Sequence, residues 1–405
     1  MARNSRVEVA DIFRQYGSSY RERHKMPLNK LRTMRAIESC RTAELGGHVD
    51  ECDSCGRMRI SYNSCRNRHC PKCQFLKKER WLEQRKESLL PVPYFHVVFT
   101  IPAKLNPLAL RNKRVFYDIL FRSVAETLRE LARDPKHLGG EIGFISILHT
   151  WGQNLMDHPH IHCVVTGGAL SLDGTRWKSC RKRFFISVKV LSRLFRGKML
   201  YYLRESWKAE ELEFLGTIAN LQDPPEFTAF LKDLYSREWI VYAKPPFKSP
   251  EKLLDYLGRY THKIAISNHR IIKMESGEVF FLWRDYADGN RNKTMRLEAS
   301  EFIRRFLLHV LPERFVKIRY YGLLANRNSN TMLGQCRRLL GVVTEKSDAK
   351  IKHGTWQELL LKLCGIDLIQ CPFCQKGRMI KKETVLPLRC NSPPWERRTW
   401  QSLSV

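Results

Sequence analysis

The stretch HPHIHCVVTGG, residues 158–168, decides how this chain is read. Along a β-strand, residues i and i+2 share a face. His160 and His162 therefore point together, with His158 joining them if the strand starts early. Ile161, Cys163, Val164 and Val165 supply a buried setting, Pro159 precedes the pair and Gly167-Gly168 follow it. A lone histidine is more often a satisfied core residue, but two same-face imidazoles at this spacing form a ready metal pair. The preceding apolar run, Glu141 to His149, reads as an antiparallel partner strand. Pairing would set its last residue, His149, opposite the His160/His162 region. His149 is thus the first candidate for a third ligand, with Gln153 second and Asp157 third.

Further along, LDYLGRYTHK (residues 254–263) carries Tyr256 and Tyr260. At i and i+4 on a helix opened by Pro250, both phenols face one side. Two such tyrosines commonly just fill a core. Here Leu253, Leu257 and Ile264 mark an apolar direction rotated slightly from them, and Arg259, His262, Lys263 and Arg270 add positive charge. A phenol with a pKa near 10 is a poor nucleophile at neutral pH. Nearby cations and a metal-bound phosphate would make its attack feasible.

Working outward, residues 1 to about 45 read as helical, with Leu28, Leu31, Met34 and Ile37 as one buried stripe. A charged helix is expected over Gln74 to Leu90, ended by Pro91 and Pro93. Tyr94 to Ile101 (YFHVVFTI) and Trp239 to Ala243 read as strands. Residues 107–134, 187–206, 225–236 and 299–310 read as helices, His269 to Trp283 as a hairpin, and 315–321 as a further strand. Interleaved strands and helices with short connections predict an α+β fold on an antiparallel sheet. The domains expected are 1–90 (helical and zinc-binding), 91–325 (the catalytic region) and 326–405 (a C-terminal extension, loose after about 384).

Cysteines form a second theme. The chain has 13, an odd number, and its start has no apolar signal core, so metal binding is favoured over disulfides. Cys52-x2-Cys55 and Cys70-x2-Cys73 are two knuckles with the spacing of a zinc ribbon. Cys40, His48, Cys65 and His69 crowd the same region as candidates for a second zinc site. Cys371-x2-Cys374 is a further knuckle whose partners would be Cys364, Cys390 or His353.

At 405 residues the chain is long enough for two or three domains. Lys and Arg total 71 against 41 acidic residues, a net charge of +30, which points to a polyanion partner such as nucleic acid. Arg66, Arg68 and Lys72 beside the knuckles, and Arg259 and Arg270 beside the tyrosines, are the candidate DNA contacts. No apolar run is long enough to span a membrane, so a cytoplasmic, nucleoid-associated protein is expected.

In combination, these motifs resemble the zinc-binding rolling-circle transposases of bacterial insertion sequences, within the HUH endonuclease superfamily. FHVVFTIP (residues 95–102), with Thr100, resembles the family's first motif. HPHIHCVVTGG resembles its metal motif and YLGRYTHK its nucleophile motif, while SCRNRHCPKCQ resembles its zinc-binding domain. The resemblance covers roughly residues 20–325. It implies a ferredoxin-like antiparallel sheet with the histidines on a central strand and the tyrosine helix packed over them. It also implies Mg2+ or Mn2+ at His160, His162 and a third ligand, structural Zn2+ at the cysteines, and Tyr256 and Tyr260 as nucleophiles assisted by Lys263. The expected activity is cleavage and rejoining of single-stranded DNA through a 5′-phosphotyrosine. A plasmid replication initiator or relaxase would share these parts. A non-catalytic zinc-ribbon regulator would explain the cysteines and the charge, and would leave the histidines and tyrosines as core residues.

Overall fold

The computed structural model describes residues 7–86, 88–181, 185–247, 252–253, 256, 258, 265–286, 288–328, 331–342, 356–365 and 367–388. In chain order the strands are β1 (Gly47–Cys52), β2 (Met58–Tyr62), β3 (Tyr94–Thr100), β4 (Gly140–Glu141), β5 (Gly143–Trp151), β6 (Asp157–Thr166), β7 (Gly168–Ser171), β8 (Trp177–Ser179), β9 (Val241–Phe247), β10 (Ile271–Glu275), β11 (Glu278–Asp285), β12 (Arg291–Glu298), β13 (Ile318–Gly322) and β14 (Met379–Val385). The helices used below are α1 (Val9–Arg23), α2 (Leu28–Glu38), α3 (Gln74–Lys86), α4 (Asn106–Arg111), α5 (Lys113–Arg133), α6 (Val188–Lys208) and α7 (Pro224–Ser236). Later helices are named by their residues. The chain divides into two compact units, both discontinuous in sequence. One comprises Met1–Arg80, His262–Val310 and Asp348–Val405, and the other Trp81–Thr261 and Leu311–Ser347.

The second unit is built on a five-stranded sheet of order β13-β5-β6-β3-β9, antiparallel throughout. This is the α+β architecture expected, with the histidine strand β6 in the middle. Alternation sorts its side chains into two faces. Phe95, Val97, Phe99, Phe144, Leu148, Ile161 and Val165 point one way, into a core completed by α5, α6 and α7 through residues such as Leu120, Val124, Phe195 and Leu231. On α5, Phe116, Leu120, Val124 and Leu128 recur every four residues and are all fully buried, which aligns one apolar stripe with the sheet. The opposite face holds Tyr94, Ile145, Ile147 and Val164 around Leu253, and it also carries the histidines.

The helix expected over 107–134 is two helices. Asn112 leaves helical geometry between them, at φ −109° and ψ 40°. Its side-chain amide donates to the Glu213 carbonyl at 2.9 Å and accepts from the Glu213 N–H at 2.7 Å. The strand expected from Trp239 begins instead at Val241, because the Trp239 indole is buried and donates to the Leu234 carbonyl at 3.0 Å.

In the first unit, α1 packs on α2 and on the helix Ala299–Leu308, where Phe13 meets Phe306 edge-on at 5.2 Å. Of the stripe expected on α2, Met34 and Ile37 are buried but Leu28, at the helix start, is exposed. The 269–283 hairpin forms as β10-β11. Its turn is Ser276-Gly277, with φ of 49° and 82°, the pair of positive values that suits the right-handed twist of a two-residue hairpin. β12 extends it to a three-stranded sheet. A second small sheet has the order β14-β1-β2. The sequence gives no sign of β14: its interior, Ile380 to Thr384, is exposed on both faces and shows no apolar alternation. Residues beyond 388 lie outside the described region. Among the described residues, no helix is long and apolar enough to cross a membrane.

Candidate active site and metal centres

Strand register assembles the histidine site. In antiparallel pairs, residues directly opposite share a face. His160 on β6 lies opposite Thr100 on β3 and His149 on β5, and His162 lies opposite Val98 and Ile147. His149, His160 and His162 thus gather on one face, with their ligand nitrogens all within 4.8 Å of one another. The Nε2 atoms of His160 and His162 are 3.1 Å apart. Gln153 lies in the loop between β5 and β6. Asp157, one position out of phase with the histidines, is not in this group. Its carboxylate oxygens are buried without a hydrogen-bond partner, and burial pushes its pKa up to about 7.

Three further side chains reach this face. His96, on β3, shares its parity with Thr100 and comes to lie beside His162, with Nε2 2.8 Å from His162 Nδ1. The Tyr256 hydroxyl lies 2.9 Å from His96 Nδ1. Lys244, opposite His96 on β9, sits 5.7 Å from the centre of the Tyr256 ring. A continuous line therefore runs from the phenol through His96 to His162 and His160. Burial, then Lys244 and His160, pulls the His96 pKa down to about 3, and burial above all pulls that of His160 down to about 4. Both rings are neutral at physiological pH, as metal ligation and hydrogen-bond relay require.

His96 and Lys244 were missed in the sequence. The parity of His96 with Thr100 in FHVVFTIP was the available clue, but it becomes informative only once β3 is known to pair with β6. Lys252, Leu253, Tyr256 and Gly258 are helical, as expected of the tyrosine segment. Tyr260, Lys263 and Arg259 lie outside the described residues.

The cysteines gather differently from the expected ribbon. The two knuckles Cys52/Cys55 and Cys70/Cys73 do not come together. Cys70 and Cys73 join Cys40 and Cys65, and Cys52 and Cys55 join Cys371 and Cys374. In the first cluster the Sγ atoms of Cys40 and Cys65 each lie 3.6 Å from that of Cys73. Neighbouring thiols draw Cys73 well below the usual thiol range. In the second, Cys52 and Cys374 are 3.7 Å apart, as are Cys55 and Cys371. His48 and His69 are in neither cluster: His48 faces Asp50 at 3.5 Å on β1, and His69 donates its backbone N–H to Asn67. The C-terminal knuckle is not completed by the partners expected. Cys390, His353 and the Cys364 side chain lie outside the described residues.

Among the basic residues, Arg66 is exposed. Lys72 pairs with Glu8. Burial lowers the Arg68 pKa. Arg270 donates to the Leu282 carbonyl at 2.7 Å and lies over Phe281, and burial pulls its pKa down to about 10. Lys72 and Arg270 therefore have structural roles already.

Comparison with known proteins agrees with a zinc-binding transposase. Residues 12–101 match the family model described as "Transposase zinc-binding domain", and residues 143–331 match the one described as "Putative transposase". The chain belongs to this family of transposases. It is 52% identical over 384 residues to "Putative transposase y4qJ" of Sinorhizobium fredii, covering 95% of this chain and 96% of that protein. It is 27% identical over 352 residues to "Transposase for insertion sequence element IS801" of Pseudomonas savastanoi pv. phaseolicola, covering 85% of this chain and 82% of that one. No solved structure matches.

Proposed function

We propose that this transposase cuts and rejoins single-stranded DNA at the ends of an insertion sequence by tyrosine attack, with His149, His160 and His162 as ligands of a divalent cation. The observation that carries the reading is the line Tyr256–His96–His162, with contacts of 2.9 and 2.8 Å, leading from a phenol to a three-histidine cluster. The donor set fits a metal: three imidazoles within ligand reach of one another. All-nitrogen ligation suits Mn2+ better than Mg2+, which prefers oxygen. When bound, the cation would polarise the scissile phosphate and stabilise the charge that develops on it.

The protein's own groups do the rest. With His162 Nε2 turned toward His160, His162 carries its proton on Nδ1 and donates it to His96 Nε2. Neutral His96 is then protonated at Nδ1, so it donates to the Tyr256 oxygen and stabilises the phenolate form. Lys244 favours the same anion. The Tyr256 oxygen, its proton released to solvent, attacks phosphorus, the bond to the 3′-oxygen breaks, and that oxygen takes up a proton from solvent and leaves as a 3′-OH. The product is a 5′-phosphotyrosine. Because the phosphotyrosine keeps the bond energy, attack by a 3′-OH can reverse the step and join strands without ATP. Tyr260 is the proposed second nucleophile and Lys263 its phosphate partner, which would permit two covalent ends at once and rolling-circle transposition. The excess positive charge of +30 and the basic zinc-binding region would hold the DNA, with action in the cytoplasm at the nucleoid.

The test is covalent capture. Purified protein is incubated with Mn2+ and labelled single-stranded DNA bearing an element end, then run on a denaturing gel. A labelled band at protein mass, lost in the double variant Tyr256→Phe/Tyr260→Phe and in His160→Ala, is expected. DNA binding with no adduct on any end would overturn the nuclease reading in favour of a zinc-dependent regulator.

A further inference from the structure

We infer that Cys52, Cys55, Cys371 and Cys374 form a tetrathiolate zinc site, separate from that of Cys40, Cys65, Cys70 and Cys73, so that each chain binds two zinc ions. The C-terminal knuckle lies outside both segments that match transposase family models. Its pairing with Cys52/Cys55 rests on three independent observations.

The first is the geometry of the sulfurs. With Zn–S bonds of about 2.3 Å, the edge of a tetrahedron of thiolates is about 3.8 Å. The Sγ–Sγ distances across the two knuckles are 3.7 and 3.7 Å. A disulfide, with sulfurs about 2.05 Å apart, would require each pair to close up by more than an ångström and would explain no convergence of four.

The second is that both knuckles are folded to present thiolates inward. The Ser54 and Cys55 N–H groups each point at Cys52 Sγ at 3.4 Å, and the Gly377 N–H points at Cys374 Sγ at the same distance. The backbone tightens each loop, through Gly56 N–H to the Cys52 carbonyl at 3.0 Å and Gln375 N–H to the Cys371 carbonyl at 3.0 Å. N–H groups aimed at sulfur favour the thiolate, the form that ligates.

The third is that the surrounding chain is built to bring the knuckles together. β14 pairs with β1 along its length, setting Cys52 opposite Met379. The Asp53 N–H donates to the Arg378 carbonyl at 3.1 Å, and the Arg378 N–H donates back to the Asp53 carboxylate at 2.7 Å. Gly377 passes so close that a Cβ there would lie 2.5 Å from Cys52 Sγ. Only glycine leaves that approach open.

The experiment is metal stoichiometry on the full-length chain. Zinc per chain is measured by elemental mass spectrometry after desalting, for the wild type and for cysteine-pair variants. The wild type should hold two zinc ions. Cys371→Ser/Cys374→Ser should hold one, and so should Cys52→Ser/Cys55→Ser. The quadruple variant combining them should also hold one, because all four thiols serve the same ion. A wild-type content of one, or retention of both ions by Cys371→Ser/Cys374→Ser, would overturn the assignment. Should a variant fail to fold, native alkylation of the wild type decides instead. Cys52, Cys55, Cys371 and Cys374 should become reactive together as a chelator is titrated in, apart from the Cys40 set. Independent exposure of the two pairs, or an intact mass showing disulfides, counts against it.

Discussion

The histidine site and the cysteine clusters both gather metal-type ligands, yet they are assembled by opposite means. The histidines come from adjacent strands of one antiparallel sheet, and a short loop joins the two strands that hold all three. The cysteines of the second cluster come from knuckles whose facing thiols stand 316 and 322 residues apart. One site is a local product of strand alternation. The other exists only after the far ends of the sequence have found each other. Local ligands are arranged by the backbone before any ion arrives, whereas distant ones need every contact between β1 and β14 to hold.

The largest effects should fall on the local site. The double variant Tyr256→Phe/Tyr260→Phe and His160→Ala should each lower covalent capture of DNA on the order of a thousandfold or more, since removing the nucleophiles or a ligand disables the unit as a whole. Zinc content should not change. Parallel loss of zinc in either variant would show that the two sites are not independent.

His96→Ala should have the next largest effect. Because it donates to the Tyr256 oxygen and links it to His162, the rate should fall about 10- to 100-fold while DNA affinity stays constant. His96→Asn, which keeps a donor, should recover part of the rate. An equal loss in affinity and rate would argue for a merely structural ring. At the other site, Gly377→Ala should reduce retention of one zinc ion under mild chelation without touching the cysteines, because its Cβ would press on Cys52 Sγ. Unchanged retention would show that the knuckles tolerate a looser approach.

The smallest effect concerns the far face of β6. The folded-state pKa of Asp157 is about 7, above its ordinary value, so the fold favours the protonated acid. That contribution is fully present below about pH 4 and is lost as pH rises through about 7. Asp157→Asn should therefore match the wild type in urea melts at about pH 4 and exceed it at about pH 8. A constant difference across that range would exclude the carboxyl as its source.

The gathering of His149, His160 and His162 was legible in the sequence because its information is periodic and nearby. The HxH spacing gives parity, and one antiparallel turn sets His149 opposite His160. His96 escaped because its partner strand is not its neighbour in sequence. The cysteine clusters were misread for the same reason, magnified. Two C-x2-C knuckles close together in sequence invite pairing, but Cys70/Cys73 are taken by Cys40 and Cys65. Cys52/Cys55 wait for a knuckle beside a strand, β14, whose exposed polar interior carries no strand pattern. For the same reason, contiguous boundaries at 90 and 325 do not describe the two compact units, the first of which draws on the beginning, middle and end of the chain.

The pairing of β1 with β14 also sets a clock on synthesis. β1 is the middle strand of its sheet, yet one of its edges stays open until residues 379–385 have left the ribosome. At about 5–20 residues per second, the 322 residues separating Cys52 from Cys374 take roughly 15–60 s to make. A copy of the gene cut short by a frameshift or stop codon anywhere in that interval yields a chain whose first sheet is never finished. Such products carry their own mark of incompleteness, an unpaired strand edge and open thiols near the N-terminus, for proteases to find.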